Sequence, residues 1–574
     1  MSLTSTPLSP TNRRNALQDM ASQELDLLVI GGGVVGAGAA LDAASRGLRV
    51  GLVEARDLAS GTSSRSSKLV HGGLRYLKQL GFPLVFEALR ERSLILDTLC
   101  PHLAHPVPFL YPLERKGIDR AYVGLGIGVY DVLGAGRGVP SHHKHLSKKS
   151  TLKSFPGAKV GHVHGAIKFY EGQLDDARHT MMLSRTAATY GAQVATSARV
   201  TGFLRSGDRV IGAKVTDLES GEQLEIRAKV TVNAAGVWTD EIQEMVGGKG
   251  KFRVRASKGV HVVIPRDRIR SETGLITETE KSLLFIIPCP WSEDFWIIGT
   301  TDTKWDLDLA HPAASESDID YILEHANRLL ETPLTHADVV GVYAGLRPLL
   351  AGESDDTSKL SREHAVVSPV PGLVIVAGGK YTTYRVMAED AVDEAVKALP
   401  GTVAKSCTHK VPLVGADGYQ ALKNNTARLA TQTGLGEARI THLLGRYGSL
   451  IGEVLELIDA DPTLAEPLAS APKYLKAEVR YAVSHEGALH LDDILARRLR
   501  ISIDTWDRGE AAAQEAAELV APLLDWDAAA IANEVEHYRS RVAAEIESQQ
   551  MPDDQTADAA RLGAPEVRVG AGSH

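Results

Sequence analysis

The stretch "LDLLVIGGGVVGAGAALDAASRG", residues 25–47, constrains this chain more than any other. An apolar run of strand character ends in three glycines, and an alanine-rich helix opens at once. Gly31, Gly33 and Gly36 form G-x-G-x-x-G. In that arrangement the first glycine allows a tight turn and the second lets a pyrophosphate reach the backbone. The third lets helix and strand pack closely. Free N–H groups at the helix N-terminus then face the phosphates. The next strand-like run, "LRVGLVEA", ends on Glu54, at the distance where a carboxylate meets a ribose hydroxyl. A parallel α/β core that binds a dinucleotide is the expectation. The motif alone does not choose between NAD and FAD. No second such fingerprint follows a strand, which argues against an enzyme that binds both.

Composition narrows the partners. A net charge of -9 disfavours nonspecific nucleic-acid binding, so no nucleic-acid partner is expected. Three cysteines, Cys100, Cys289 and Cys407, lie far apart without a CxxC, which suits a reducing cytosol and offers no metal knuckle. The first 24 residues lack an apolar signal-peptide core and read as a flexible leader. No uncharged apolar run has the ~18–20 residues of a membrane span. The nearest, "AYVGLGIGVYDVLGAG" at 121–136, is broken by Asp131 and reads as a packed internal segment.

Strand-like and helix-like segments alternate from Leu25 to about residue 400, with a β-meander over 194–232 and strand-rich sequence over 252–303. "LVIVAGGK" reads as a buried strand followed by a helix over 382–397. Beyond a linker near 398–410 the periodicity becomes that of amphipathic helices. The expected division is a leader over 1–24, interleaved cofactor and substrate domains over 25–400, a helical domain over 408–548, and a disordered tail over 549–574.

Two further glycine pairs carry chemistry. "TSSRSSKLVHGGLRYL" is hydroxyl-rich and then glycine-rich inside a segment that reads as helical. Thr62, Ser63 and Ser67 would meet phosphate, and Gly72, Gly73 and Leu74 would lie beside a flat ring, an arrangement that suits extended FAD better than NAD. "VIVAGGKYTTYRV" repeats the logic: strand, Gly378-Gly379, Lys380, helix. A helix N-terminus there would stabilise negative charge on a reduced flavin. "YAGLRPLL" places Arg347 between apolar neighbours, and "SKGVHVVIP" places Lys258 and His261 at the start of a strand. Together Arg75, Lys258, Arg347 and Lys380 suit a small phosphorylated or carboxylated substrate. "HEGALH" is not a zinc motif, because His485 and His490 are five apart rather than four. The basic run "SHHKHLSKK" (141–149) reads as a solvated loop, no metal site is expected, and no nucleophile elbow is present.

These segments resemble the FAD-dependent glycerol-3-phosphate dehydrogenases. "IGGGVVGAGAALDAASRG" (30–47) is similar to the family's first signature and "GGKYTTYRVMA" (378–388) to its second, with "GTTD" and "GLRPL" in the expected order. The similarity spans roughly 25–540. The leader, the tail and Arg65, where smaller residues are common, depart from the pattern. No EF-hand loop is present, so calcium control is not expected. The resemblance implies a glutathione-reductase-type FAD-binding domain, a β-rich substrate domain and a helical C-terminal cap. It also implies oxidation of sn-glycerol 3-phosphate to dihydroxyacetone phosphate with electrons passed to a membrane quinone. A cytoplasmic homodimer, peripheral on the inner face of the cell membrane, would suit that partner. Gly379 would then approach the flavin. Arg75, Tyr76, Lys258, Arg347 and Lys380 would hold the substrate, Arg75 and Lys380 clamping its phosphate. Arg347 and Lys380 would also be catalytic, Arg347 stabilising the developing alkoxide, with His71 or His261 as the base. The competing readings are an oxidase that uses O2, an amino-acid oxidase on a related fold, and a non-catalytic flavin-binding scaffold.

Overall fold

The computed structural model describes residues 5–73, 81–113, 127–128, 143–161, 163–247, 253–280, 283–351 and 363–568. Leu74, Arg75 and Tyr76, and all but residues 127–128 of the apolar stretch 121–136, lie outside them. Helix α1 (Pro10–Ser22) leads into strand β1 (Leu25–Ile30), helix α2 (Val34–Ser45) and β2 (Val50–Val53). The short β3 (Leu69–Val70) and β4 (Gly165–Gln173) pair antiparallel in a second sheet. Helix α3 (Asp176–Thr189) and β5 (Gln193–Ala195) return to the first, followed by β6 (Ala198–Ser206), β7 (Arg209–Asp217) and β8 (Gln223–Asn233). Then come β9 (Val254–Pro265), β10 (Phe295–Gly299), β11 (Gly341–Leu350), β12 (His364–Val370), β13 (Leu373–Gly378) and helix α4 (Tyr384–Val396).

The first sheet runs β12-β13-β8-β1-β2-β5. Pairing is parallel from β13 to β5, while β12 joins as an antiparallel edge. Leu27 and Val29 of β1 are fully buried, as expected where both faces of a parallel sheet are covered. They share one core with α2, α3 and α4. The meander β6–β8 extends the same sheet antiparallel. The second, ten-stranded sheet is built around β9, which pairs antiparallel with both β10 and β11. Helices from Tyr419 onward cover this assembly. The first of them join the core of the first sheet through Ile440, Leu444 and Val454, and the later ones form a separate core around Val479, Leu495 and Val520. No helix among the described residues is long and apolar enough to cross a membrane.

Three expectations are corrected. The leader carries α1, capped by the Ser9 hydroxyl with Pro10 in the first turn. Arg13 of α1 is buried and donates Nε–H to the Thr196 carbonyl at 2.7 Å, while also pairing with Asp217. The tail carries a helix, Asp554–Arg561, capped by Asp553, and Arg568 is buried against Asp493 at 2.8 Å. Both segments carry few apolar residues, and buried arginines help hold them beside Leu17, Met20 and Ala557. The basic run 141–149 contributes a strand, Lys144–Ser147, paired with β4, and then enters a helix, Lys148–Ser154.

Candidate active site

The β1–α2 turn closes on itself so tightly that a Cβ at Gly36 would sit 1.9 Å from the Gly31 carbonyl oxygen. No residue but glycine fits there. Glu54, at the end of β2, accepts the Gly32 N–H at 2.6 Å and the Arg56 N–H at 2.8 Å. Burial raises its pKa above the ordinary carboxylate value, with those two backbone bonds opposing. The Ser63 hydroxyl accepts the Val34 N–H at 2.9 Å and so supports the first turn of α2.

A cavity of about 390 Å³ opens over this turn. Its wall takes in Gly31, Gly33 and Glu54, the hydroxyl residues Thr62, Ser63 and Ser67, and then His71, His261, Arg347, Gly379 and Lys380. The three glycine-bearing stretches therefore meet on one cavity with the strands that carry His261 and Arg347. The two later glycine-rich segments are joined directly, because the His71 N–H donates to Thr382 Oγ1 at 3.1 Å. Gly378 and Gly379 both hold φ near +80°, at 79° and 78°, which turns the chain sharply between β13 and the short helix ahead of α4.

Not every expected residue reaches the cavity. Gly36 is spent on the turn, and Gly72 and Gly73 are buried behind His71 rather than on the wall. The segment 67–77 is not helical where described. Lys68 has φ +58° and Leu69–Val70 pairs with β4, because the Lys68 ammonium is drawn inward to Asp176 at 2.7 Å. Lys258 is corrected most clearly. Its ammonium is fully buried away from the cavity, 2.5 Å from both Asp318 and Asp554. A lysine beginning a strand can point to either face, and this one serves structure.

His261 and Arg347 are the best-held groups. Arg347, on β11, donates Nη2–H to Thr300 Oγ1 at 3.0 Å and to the Thr301 carbonyl at 3.1 Å, with Asp302 3.7 Å away. His261, on β9, has Nε2 2.8 Å from Ser67 Oγ and its ring stacked on Tyr343. Burial, followed by the nearby Lys68 and Arg347 charges, holds its pKa well below 6.5. The ring is neutral at physiological pH.

Sequence reasoning missed what anchors Ser67. Asp176 accepts the backbone N–H and the hydroxyl of Ser66, the Lys68 ammonium and the Arg500 guanidinium. Tyr381 donates its hydroxyl to the Asp176 carbonyl at 2.8 Å, tying the third glycine segment to the same point. Tyr343 was within reach of sequence reasoning, since residues 343 and 347 share one face of a strand. Asp176 was not, because only the fold brings it under residue 66.

Comparison with known proteins agrees with this architecture. Residues 26–391 match the family described as FAD dependent oxidoreductase, and residues 406–531 match the C-terminal domain of alpha-glycerophosphate oxidase. The glycerol-3-phosphate dehydrogenase of Mycobacterium leprae is 59% identical, covering 98% of this chain and 95% of that protein. The human mitochondrial glycerol-3-phosphate dehydrogenase is 35% identical over 90% of this chain and 73% of its own length. The structure of the Bacillus halodurans glycerol-3-phosphate dehydrogenase complexed with FAD superposes with a TM-score of 0.76 at 29% identity, covering 93% of this chain and 98% of that one. The fold and site define an FAD-dependent oxidoreductase. Within that class, the chain belongs to the glycerol-3-phosphate dehydrogenase family. FAD fits the residues present: an open backbone at Gly33, a carboxylate at Glu54 and a serine-supported helix start all face one cavity.

Proposed function

We propose that the enzyme oxidises sn-glycerol 3-phosphate to dihydroxyacetone phosphate and passes the electrons to a quinone. The observation that carries this reading is the convergence of a neutral, buried His261 and a held Arg347 on the cavity that begins at the glycine turn. FAD, when bound, supplies the acceptor for the hydride that leaves C2 of the substrate. The 2-hydroxyl must lose a proton in the same reaction. His261 takes it at Nε2, the atom now held by Ser67 Oγ, and can do so because its ring is neutral. The Arg347 guanidinium faces the charge that grows on the substrate oxygen, and its bonds to Thr300 and Thr301 fix it without reorganisation. Lys380, together with Arg75 and Tyr76 of the HGGLRY segment, would bind the phosphate. His71, fixed through its backbone to Thr382, lines the same cavity as Lys380.

Anaerobic addition of sn-glycerol 3-phosphate to the purified holoenzyme should bleach the flavin absorbance, and a soluble quinone analogue should restore it. A flavin that stays oxidised would remove the substrate assignment. Because the C-terminal match carries the description of an oxidase, direct use of O2 is the second reading. Rapid oxygen uptake with peroxide release, unaffected by quinone, would select it. Reaching a membrane quinone would require docking on the bilayer, since no described helix can span it.

A further inference from the structure

A second cavity, of about 80 Å³, lies between the Ser60–Arg65 segment, the helical C-terminal region and the tail. The proposed chemistry makes no use of it. Its wall holds seven arginines against three carboxylates, counted from its lining residues. Five of those arginines are matched: Arg56 with Glu566, Arg497 with Asp57, Arg500 with Asp175, Arg541 with Asp492 and Arg568 with Asp493. The other two are Arg65 and Arg561. Arg65 makes one long bond to the Ala310 carbonyl at 3.5 Å, and Arg561 one contact with His311 Nδ1 at 3.4 Å. Among the described residues neither is in ion-pair contact with a carboxylate. Arg561 is only 5% exposed.

Neither guanidinium has a bonded anion; each keeps one long contact and feels the Glu545 carboxylate on the same wall, which offsets the lost hydration only in part. Burial, with Arg497 as the next cause, lowers the Arg65 pKa to about 10. Burial lowers that of Arg561 as well. We propose that this cavity is a binding site for one tetrahedral oxyanion, inorganic phosphate, held between Arg65 and Arg561. The volume admits a small polyatomic ion, since about 10–15 Å³ on the same measure already holds one water. Guanidinium forks match the oxygens of such an ion. Arg65 is also a residue at which the sequence departs from the pattern it resembles.

The site is coupled to the catalytic cavity through named contacts. Arg65 lines both cavities and lies two residues from Ser67, which holds His261. Arg500 donates to the Ser64 carbonyl at 3.2 Å, and Tyr343 forms part of the second wall while stacking on His261. Phosphate would thus fix the tail, through Arg561, and the serine segment at once.

The test uses holoenzyme purified without phosphate or sulfate. In equilibrium dialysis against radiolabelled orthophosphate, the wild type should bind one more ion per chain than Arg561→Ala or Arg65→Ala, whose affinity at this site should fall at least tenfold. Arg561→Lys should retain most of the binding. Crystals of the wild type soaked in tungstate should show anomalous density between Arg65 and Arg561, a result independent of whether the variants fold. Equal phosphate stoichiometry in wild type and folded variants, or tungstate in the flavin cavity alone, would overturn the proposal. None of these readouts needs turnover, so they stand apart from the reaction assigned above.

Discussion

Tyr343 lies directly opposite His261 across the β9–β11 ladder, with ring centroids 4.8 Å apart and planes 10° from parallel. The tyrosine hydroxyl donates to the Ser66 carbonyl at 3.1 Å, so the stack also pins the segment that carries Ser67. One face of the imidazole is thereby shielded from water. The low pKa of His261 follows from that enclosure and from the Lys68 and Arg347 charges. In the wild type, kcat/KM should therefore hold level as pH falls through 6.5. Tyr343→Ala would admit water to the ring and move the acid limb upward toward 6.5, which a pH–rate profile reads directly. His261→Asn should lower kcat by about a hundredfold or more, the usual scale for losing a general base. An unchanged profile in Tyr343→Ala would remove the stack from the control of this group.

Arg347→Ala should leave FAD bound while kcat/KM falls by about a hundredfold or more, as for loss of a donor to developing negative charge. Its bonds run to Thr300, Thr301 and the Ser257–Lys258 stretch rather than to the glycine turn. The flavin spectrum checks the first half and steady-state kinetics the second. Loss of both together would make Arg347 a structural residue.

Gly36→Ala tests the turn itself. The new methyl would fall 1.9 Å from a backbone oxygen, which cannot yield as a flexible side chain can. The β1–α2 connection must open, and the variant should purify with little or no FAD and a lower Tm. Gly33→Val presents a different case, since its Cβ would meet only the Ser63 hydroxyl, at 3.3 Å. That variant should fold near the wild-type Tm and still fail to retain FAD, because the branched side chain would fill the cavity wall. Absorbance near 450 nm and a melting curve separate the two.

The parallel sheet and the cavity wall were legible because periodicity and glycine spacing are local signals. Gly31, Gly33, Glu54, Ser63, Gly379 and Lys380 all reach the cavity from motifs that a single segment displays. Charge was harder to read. A lysine in a strand reveals neither its face nor its partner, and Lys258 turned to Asp318 and Asp554, the latter 296 residues away. The same blindness hid the ends of the chain. Arg13, Arg561 and Arg568 lie in the segments read as a flexible leader and a disordered tail, yet each is buried among groups remote in sequence. Lys68 likewise turned a glycine-containing segment from helix to extended chain, through a carboxylate at Asp176.

His490 offers a test in the helical region. Its Nδ1 lies 2.7 Å from Glu534 and its Nε2 3.1 Å from Glu219, so one imidazole joins that region to the β7–β8 turn of the meander. Burial and the Arg568 charge disfavour the protonated ring, but the two carboxylates outweigh them and hold its pKa at about 9. The unfolded value is about 6.5. A histidine raised on folding binds its proton more tightly in the native state. Its stabilisation is therefore complete below about pH 6.5 and lost as pH rises through 9, and amounts to about 3 kcal/mol. Lys68, lowered to about 8 chiefly by burial, has the opposite slope above that pH, so the wild-type melting curve alone would mix the two. The difference between wild type and His490→Gln isolates the histidine. That difference in Tm should be large at pH 6 and shrink steadily toward pH 9.5. A difference that stays constant over this range would mean that His490 is neutral in the folded protein and that its two carboxylates are held by other groups.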